Sequence, residues 1–370
     1  PTSLNLSLAK VDGQEWRLLI MAGTYSEQQR IKYTQKLNDI MDMLPDFTRD
    51  YFFSLEYTKQ PRTKVAYAMD LRGFFEFIRE RKYNSYESLK QITLADAENI
   101  SSTDIIEYLR HSRLYVKNGR EVTNSERAAK RKLSSLRSFY GYYNKQGLMK
   151  KNPAFQVDMP KIHDQAITRL DVNEVAELLD NVESGNRLTK NQLAAHEELK
   201  TRDLALLTLL LGTGIRVSEC VGLDINDVDF DNDRIKVVRK GGSESFVYFG
   251  DEVREALLDY MDERSTLQPA AGHENALFIS RNNKRLCVRP VENLVKKYAM
   301  TVTTVKHITP HKLRSTYGTN LYQESNDIYL VADVLGHKDV NTTRKHYAEI
   351  VDNNRRKARN MVQLRENDGH

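Results

Sequence analysis

A polar stretch between residues 150 and 168 divides this chain into two halves with different patterns. Pro153 and Pro160 bracket the stretch, and proline lacks a backbone N–H, so neither a helix interior nor a central strand tolerates it. A length of 370 residues is also too great for one ordinary domain. We therefore predict an N-terminal extension over 1–46, a helical domain over 47–155, a linker over 156–167 and a second domain over 168–370.

The first half shows the periodicity of helices. Pro61 suits the first turn of a helix, and apolar residues follow it at intervals of four, three and four. A second helix is predicted over residues 125–146, with Gly147 as its stop. We expect helices throughout from Phe47 to about Asn152. The apolar stripe behind Pro61 consists of Tyr67, Leu71, Phe74 and Ile78.

Positive charge is concentrated in this helical half. Residues 112–161 contain twelve lysines and arginines against three acidic residues, whereas the whole chain has a net charge of only +5. Such a block is typical of a surface that binds a polyanion, although a solvated, lysine-rich helix face gives the same pattern. The candidates for this surface lie mainly off the apolar stripe of the helix predicted over 125–146: Arg127, Lys130, Arg131 and Arg137.

The second half alternates between helix and strand patterns. Two short strands at 234–239 and 245–249 flank a glycine-containing turn, which predicts a hairpin, and a third strand is expected at 276–280. The fold class predicted for the whole chain is mainly α with a small β hairpin or sheet. It comprises an all-helical domain followed by a mixed α/β domain with a C-terminal helical tail. Helices are expected at 171–181, 192–212, 218–223 and 290–359.

Residues that suit phosphate chemistry occur in order along the second half. Arg216 follows an apolar helix and two glycines, and a guanidinium presented at such a turn can grip a phosphate with two parallel hydrogen bonds. Taken alone, a surface arginine at a capped helix start is the more common explanation. His311 and Arg314 share one face near a predicted helix N-terminus, where anions are favoured. The full order is Arg216, Lys240, His311, Arg314, His337 and Tyr347.

This order and its flanking residues closely resemble the tyrosine recombinase (phage integrase) family, in particular the integrases and transposases of mobile elements. The resemblance covers residues 168–359 by motif, and the basic helical domain is similar to the family's core-binding domain. It implies that the two domains close around duplex DNA as a C-shaped clamp. It also implies that the basic helix contacts DNA phosphates.

The resemblance assigns most of the ordered residues to the scissile phosphate. Arg216 and Arg314 would clamp it, while His311 and His337 would hold it and assist proton transfer. Glu219 matches an acidic position that supports the first arginine and the histidine. Because phosphodiester displacement passes through a charge-rich phosphorus centre, a cluster of cationic side chains suits the reaction.

The resemblance also implies covalent catalysis. Tyr347 would be the nucleophile and Lys240 the acid that protonates the leaving 5′ oxygen; a phenol leaves again far more readily than an alkyl alcohol. No metal, ATP or other cofactor is expected. Tyr347 lies one residue later than the usual spacing predicts. His346 occupies the usual position, and its imidazole cannot act as a phenolic nucleophile. Arg239 and Lys236 lie near Lys240, which leaves open which base reaches the leaving group.

The expected function is therefore site-specific DNA recombination, as integration or excision of a mobile element, through a 3′-phosphotyrosyl intermediate and a Holliday junction. The expected partners are double-stranded DNA sites and accessory DNA-bending or directionality factors. The chain is expected to form a homotetramer on the DNA and not to bind a membrane. Two cysteines form no disulfide framework, which favours a reducing cytoplasm. The alternatives are a resolvase of the chromosome-dimer type and a regulator that binds DNA without cleaving it. A type IB topoisomerase uses similar chemistry.

Overall fold

The computed structural model describes residues 24–117, 120–161, 168–239 and 242–336. The chain divides into two compact units, Pro1–Gln165 and Ala166–His370. Three of the predicted catalytic residues lie outside the described ranges, as does the predicted C-terminal helical tail. These three residues are Lys240, His337 and Tyr347.

The first unit is built mainly from helices. Helix α3 begins at Pro61, as the sequence predicts, and α6 ends just before Gly147, which has a φ of 72°. The helices are α1 (Tyr25–Met41), α2 (Thr48–Ser54), α3 (Pro61–Lys82), α4 (Leu94–Glu98), α5 (Ser102–His111) and α6 (Glu126–Lys145).

One short hairpin interrupts this helical unit. Strands β1 (Leu114–Lys117) and β2 (Arg120–Thr123) pair antiparallel, with Leu114 opposite Thr123. The expectation of helices throughout this half was therefore wrong here. The signal was present in the sequence, because Asn-Gly between two short runs rich in β-branched and aromatic residues favours a tight hairpin.

Aromatic side chains dominate the core of the first unit. Phe139 of α6 packs edge-on against Phe75 of α3 and Tyr51 of α2, with ring centroids 5.7 and 5.5 Å apart. Helix α1 packs against α3 and buries Leu37 in the same core. The part of the predicted extension from Leu37 to Leu44 thus contributes to the core of this unit.

The second unit surrounds one long apolar helix. Helix α8 buries leucines on several of its sides, including Leu206 and Leu210, and packs against α7, α10 and α12. Its helices are α7 (Val172–Ser184), α8 (Lys190–Thr213), α9 (Val217–Cys220), α10 (Asp251–Thr266), α11 (Val288–Val302), α12 (Pro310–Ser325) and α13 (Ile328–Val334). In the described part of the chain, we find no helix long and apolar enough to cross a membrane.

The sheet of the second unit has three antiparallel strands in the order β3-β4-β5: β3 (Val228–Asp229), β4 (Arg234–Val238) and β5 (Glu244–Tyr248). The predicted hairpin is confirmed as β4 and β5, but the third strand is not at 276–280, which forms only isolated bridges. Side chains take the carbonyls of that segment, since Arg264 donates to Ala276 O and Tyr260 to Leu277 O, both at 3.1 Å.

Candidate active site

A sharp turn at the end of α8 presents the first predicted catalytic residue. Gly214 has a φ of +62°, and its N–H donates to Leu210 O at 3.1 Å. A Cβ placed on Gly214 would lie 2.4 Å from the ring of Tyr317 on α12. Both the left-handed backbone and this close approach therefore require glycine. Two residues later, Arg216 caps the next helix, α9.

Glu219 orients Arg216 from within α9. Its carboxylate accepts the Arg216 backbone N–H at 2.8 Å and the guanidinium Nη1 at 2.7 Å. The carboxylate is 3% exposed, whereas 34% of the arginine side chain reaches solvent. Glu219 thus holds Arg216 through a charge-assisted hydrogen bond that leaves part of the guanidinium accessible.

Arg314 joins the ends of two other helices. It lies on α12, is 4% exposed, and donates from Nη1 to Gly214 O at 2.6 Å and from Nη2 to Leu335 O. Both carbonyls belong to helix C-termini, where a cation is stabilised. Arg314 therefore lies beside the turn that leads to Arg216. His311 lies one turn earlier on α12 and is exposed.

A third guanidinium joins this group from the sheet. Arg239 follows β4 and donates to Val334 O at 3.1 Å and Leu335 O at 3.3 Å. Its Nη1 is also 3.6 Å from Glu219 Oε2. Burial lowers the pKa of Arg239, and the Glu219 carboxylate opposes this shift.

The sequence placed Arg239 only as an alternative to Lys240. Strand alternation could have indicated its direction, since residue 239 shares a face with the buried Ile235 and Val237. The other alternative, Lys236, forms ion pairs with Asp227 and Glu244, each at 3.6 Å.

Three arginines and one glutamate thus lie close together beside the turn after α13. Arg216 completes the convergence, since its Nη2 lies 3.5 Å from Gly336 O. Three guanidiniums and one carboxylate leave an excess of positive charge, which suits the binding of a phosphodiester. Gly336 and Arg239 are the residues that precede His337 and Lys240 in the sequence. We name this arginine cluster by its members: Arg216, Glu219, Arg239 and Arg314.

The four basic residues predicted to contact DNA on α6 separate into two groups. Arg127 and Lys130 are exposed. Arg131 is exposed as well, but it forms an ion pair with the buried Asp70 of α3. Arg137 donates to Ala154 O at 3.1 Å and to Val157 O at 2.5 Å. The guanidinium of Arg137 therefore holds the segment after α6 against the unit.

Both halves of the chain match known protein families. Residues 168–354 match the phage integrase family, and residues 48–147 match the phage integrase N-terminal SAM-like domain. The tyrosine recombinase XerC of Caldanaerobacter subterraneus subsp. tengcongensis is 32% identical over 323 residues, which cover 85% of each chain.

Two solved structures are similar in fold, each at 19% identity. The XerH site-specific recombinase bound to palindromic difH substrate has a TM-score of 0.58 over 77% of this chain and 75% of that chain. The Tn1549 transposon integrase in complex with circular intermediate DNA also has a TM-score of 0.58, over 80% of this chain and 93% of that chain. From the family match and the relative at 32% identity together, the chain belongs to the phage integrase family and is a tyrosine recombinase, a DNA breaking-rejoining enzyme.

Proposed function

We propose that this recombinase exchanges strands between specific duplex DNA sites through a covalent 3′-phosphotyrosyl intermediate and a Holliday junction, without a metal or ATP. The observation that carries the proposal is the convergence of Arg216 and Arg314 at one turn, with Glu219 orienting the first of them. Two guanidiniums that lie side by side can hold both non-bridging oxygens of a phosphate.

The proposed reaction conserves the number of phosphodiester bonds. The phenolic oxygen of Tyr347 attacks the phosphorus and loses its proton, while the bond from phosphorus to the 5′ oxygen breaks. Lys240 gives a proton to that leaving oxygen, and His311 and His337 assist the proton transfers. The free 5′-hydroxyl of another strand then reverses the step on the phosphotyrosine. Because one phosphodiester replaces another, no ATP is required.

The stoichiometry of strand exchange supports a tetramer. Two duplex sites contain four strands, and each strand must be cut once by one nucleophile. Since each protomer has one Tyr347, we propose that four copies assemble on two sites, with accessory DNA-bending or directionality factors. Arg127 and Lys130 are exposed residues of α6, and we propose that they contact DNA phosphates.

Removal of one hydroxyl group tests whether Tyr347 is the nucleophile. Tyr347→Phe should still bind DNA but should form no covalent adduct on a nicked suicide substrate, because only the attacking oxygen is lost. Denaturing gels measure the adduct. Tyr329→Phe is the matched control, since Tyr329 is an exposed tyrosine on α13, and it should form the adduct at the normal rate.

An adduct that persists in Tyr347→Phe would move the nucleophile to another residue, which peptide mapping would identify. No adduct with the unmodified protein on any candidate site would favour the alternative of a DNA-binding regulator that does not cleave.

Two biological roles are open for this recombinase. One is the integration or excision of a mobile element, and the other is the resolution of joined DNA copies. The relative at 32% identity is named tyrosine recombinase XerC and so favours resolution, whereas the transposon integrase is similar in fold alone. We therefore propose strand exchange itself and retain resolution beside the mobile-element role. The DNA that flanks the gene supplies candidate sites.

A plasmid assay separates the two roles. Deletion between two identical sites in direct repeat supports resolution. Joining of two different sites, with sequenced junctions that match element ends, supports the mobile-element role.

A further inference from the structure

We propose that Arg239 is a positioning residue that ties strand β4 to the C-terminal turn of α13 and so holds Arg216 and Arg314 in the geometry needed to bind the phosphate. The inference rests on the proposed function and adds a residue to which neither the family resemblance nor the predicted chemistry assigns this role.

The contacts of Arg239 link the other members of the arginine cluster. Leu335 O accepts from both Arg239 and Arg314, and the Glu219 carboxylate lies against both Arg239 and Arg216. Each of the two phosphate-binding guanidiniums therefore shares a partner with Arg239. Loss of these shared contacts would leave a buried carboxylate and two helix-terminal carbonyls with fewer donors.

Arg239 packs against the backbone of the turn after α13. Its side chain is 11% exposed, against 34% for Arg216. A Cβ on Gly336 would lie 2.9 Å from the guanidinium carbon of Arg239, so the guanidinium packs directly on the glycine backbone. The position following β4 is thus used to hold the turn after α13, rather than to present a cation to solvent.

Lysine cannot reproduce this arrangement. One guanidinium reaches Val334 O, Leu335 O and Glu219 from two nitrogens, whereas an ammonium is a single point at the end of a flexible chain. Arg239→Lys therefore keeps the charge but loses the fork. Arg264→Lys is the matched control, because Arg264 is also buried and donates to the carbonyls of Glu274 and Ala276.

The test compares single-turnover cleavage of two nicked substrates. One has a normal scissile phosphate, and the other has a methylphosphonate, in which a methyl group replaces one charged oxygen. Misplaced guanidiniums matter less when that charge is absent. We expect Arg239→Lys to be roughly 10- to 100-fold slower than the unmodified protein on phosphate, but within about 3-fold of it on methylphosphonate. Arg264→Lys should change both rates by one common factor.

A double variant separates positioning from direct contact. In an Arg216→Lys background, Arg239→Lys should cost less than about 3-fold, since the two act as one unit. Fully additive losses would show that Arg239 contacts the phosphate itself and would overturn the positioning role. Arg239→Gln, which is smaller and neutral, repeats the comparison if the lysine variant does not fold.

The inference is overturned if Arg239→Lys and Arg239→Gln slow both substrates equally, or slow neither. These outcomes leave the proposed function intact as long as the unmodified protein forms its Tyr347 adduct. Absence of that adduct would instead refute the proposed function, and the inference with it.

Discussion

Neutralising Glu219 should slow DNA cleavage by disturbing Arg216. The carboxylate is 3% exposed and accepts two hydrogen bonds from Arg216, at 2.8 and 2.7 Å. Glu219→Gln preserves the size of the side chain and one acceptor oxygen. Its amide nitrogen, however, would face a donor of Arg216, so one charge-assisted hydrogen bond is lost.

The size of the effect follows from that lost bond. A hydrogen bond to a charged group contributes about 1.5–3 kcal/mol. Since 34% of the Arg216 side chain is exposed, water replaces part of the loss. A net cost of about 2 kcal/mol in the transition state corresponds to cleavage that is roughly 30-fold slower.

Single-turnover cleavage of a nicked suicide substrate measures this rate, well below the melting temperature of the variant. Glu198→Gln is the control, because Glu198 pairs with Arg281 at the exposed surface and should change the rate by less than about 2-fold. Equal rates for the two variants would refute the claim that Glu219 orients Arg216. A loss explained wholly by the unfolded fraction in a thermal melt would refute it as well.

Further predictions concern the metal and the DNA surface. Covalent adduct formation should proceed in excess EDTA, because the proposed phosphate clamp consists of side chains; loss of the adduct in chelator, restored by Mg²⁺, would contradict this. Changing Arg127 and Lys130 together to alanine should reduce the slope of log affinity against log salt by roughly 2, since each phosphate contact contributes about 0.9. Arg137→Ala should instead lower the melting temperature, because Arg137 donates to Ala154 O and Val157 O. An unchanged salt slope in the variant that lacks Arg127 and Lys130 would show that these residues of α6 do not contact DNA phosphates.

Local patterns in the sequence predicted much of the fold. Helices α3 and α6 and the β4–β5 hairpin lie where periodicity, proline and glycine placed them, because these signals act within a few residues of one another. The contact between Arg216 and Glu219 is of the same kind, since the two residues are three apart. The strand predicted at 276–280 is not formed, because side chains from another part of the chain, such as Arg264, donate to the carbonyls of this segment.

The sequence by itself determined the order of the predicted catalytic residues, the family and the local helices, all of which depend on neighbours along the chain. Only the tertiary structure decided that Arg239 turns to the end of α13, 95 residues away, and that Arg131 pairs with Asp70, 61 residues away. Both arginines are basic residues in a basic context, and the sequence offers each a DNA phosphate as readily as a carboxylate or a carbonyl. Packing brings the intramolecular partner close, and a buried acceptor without a donor is unfavourable, so the fold selects the contact that the sequence leaves open.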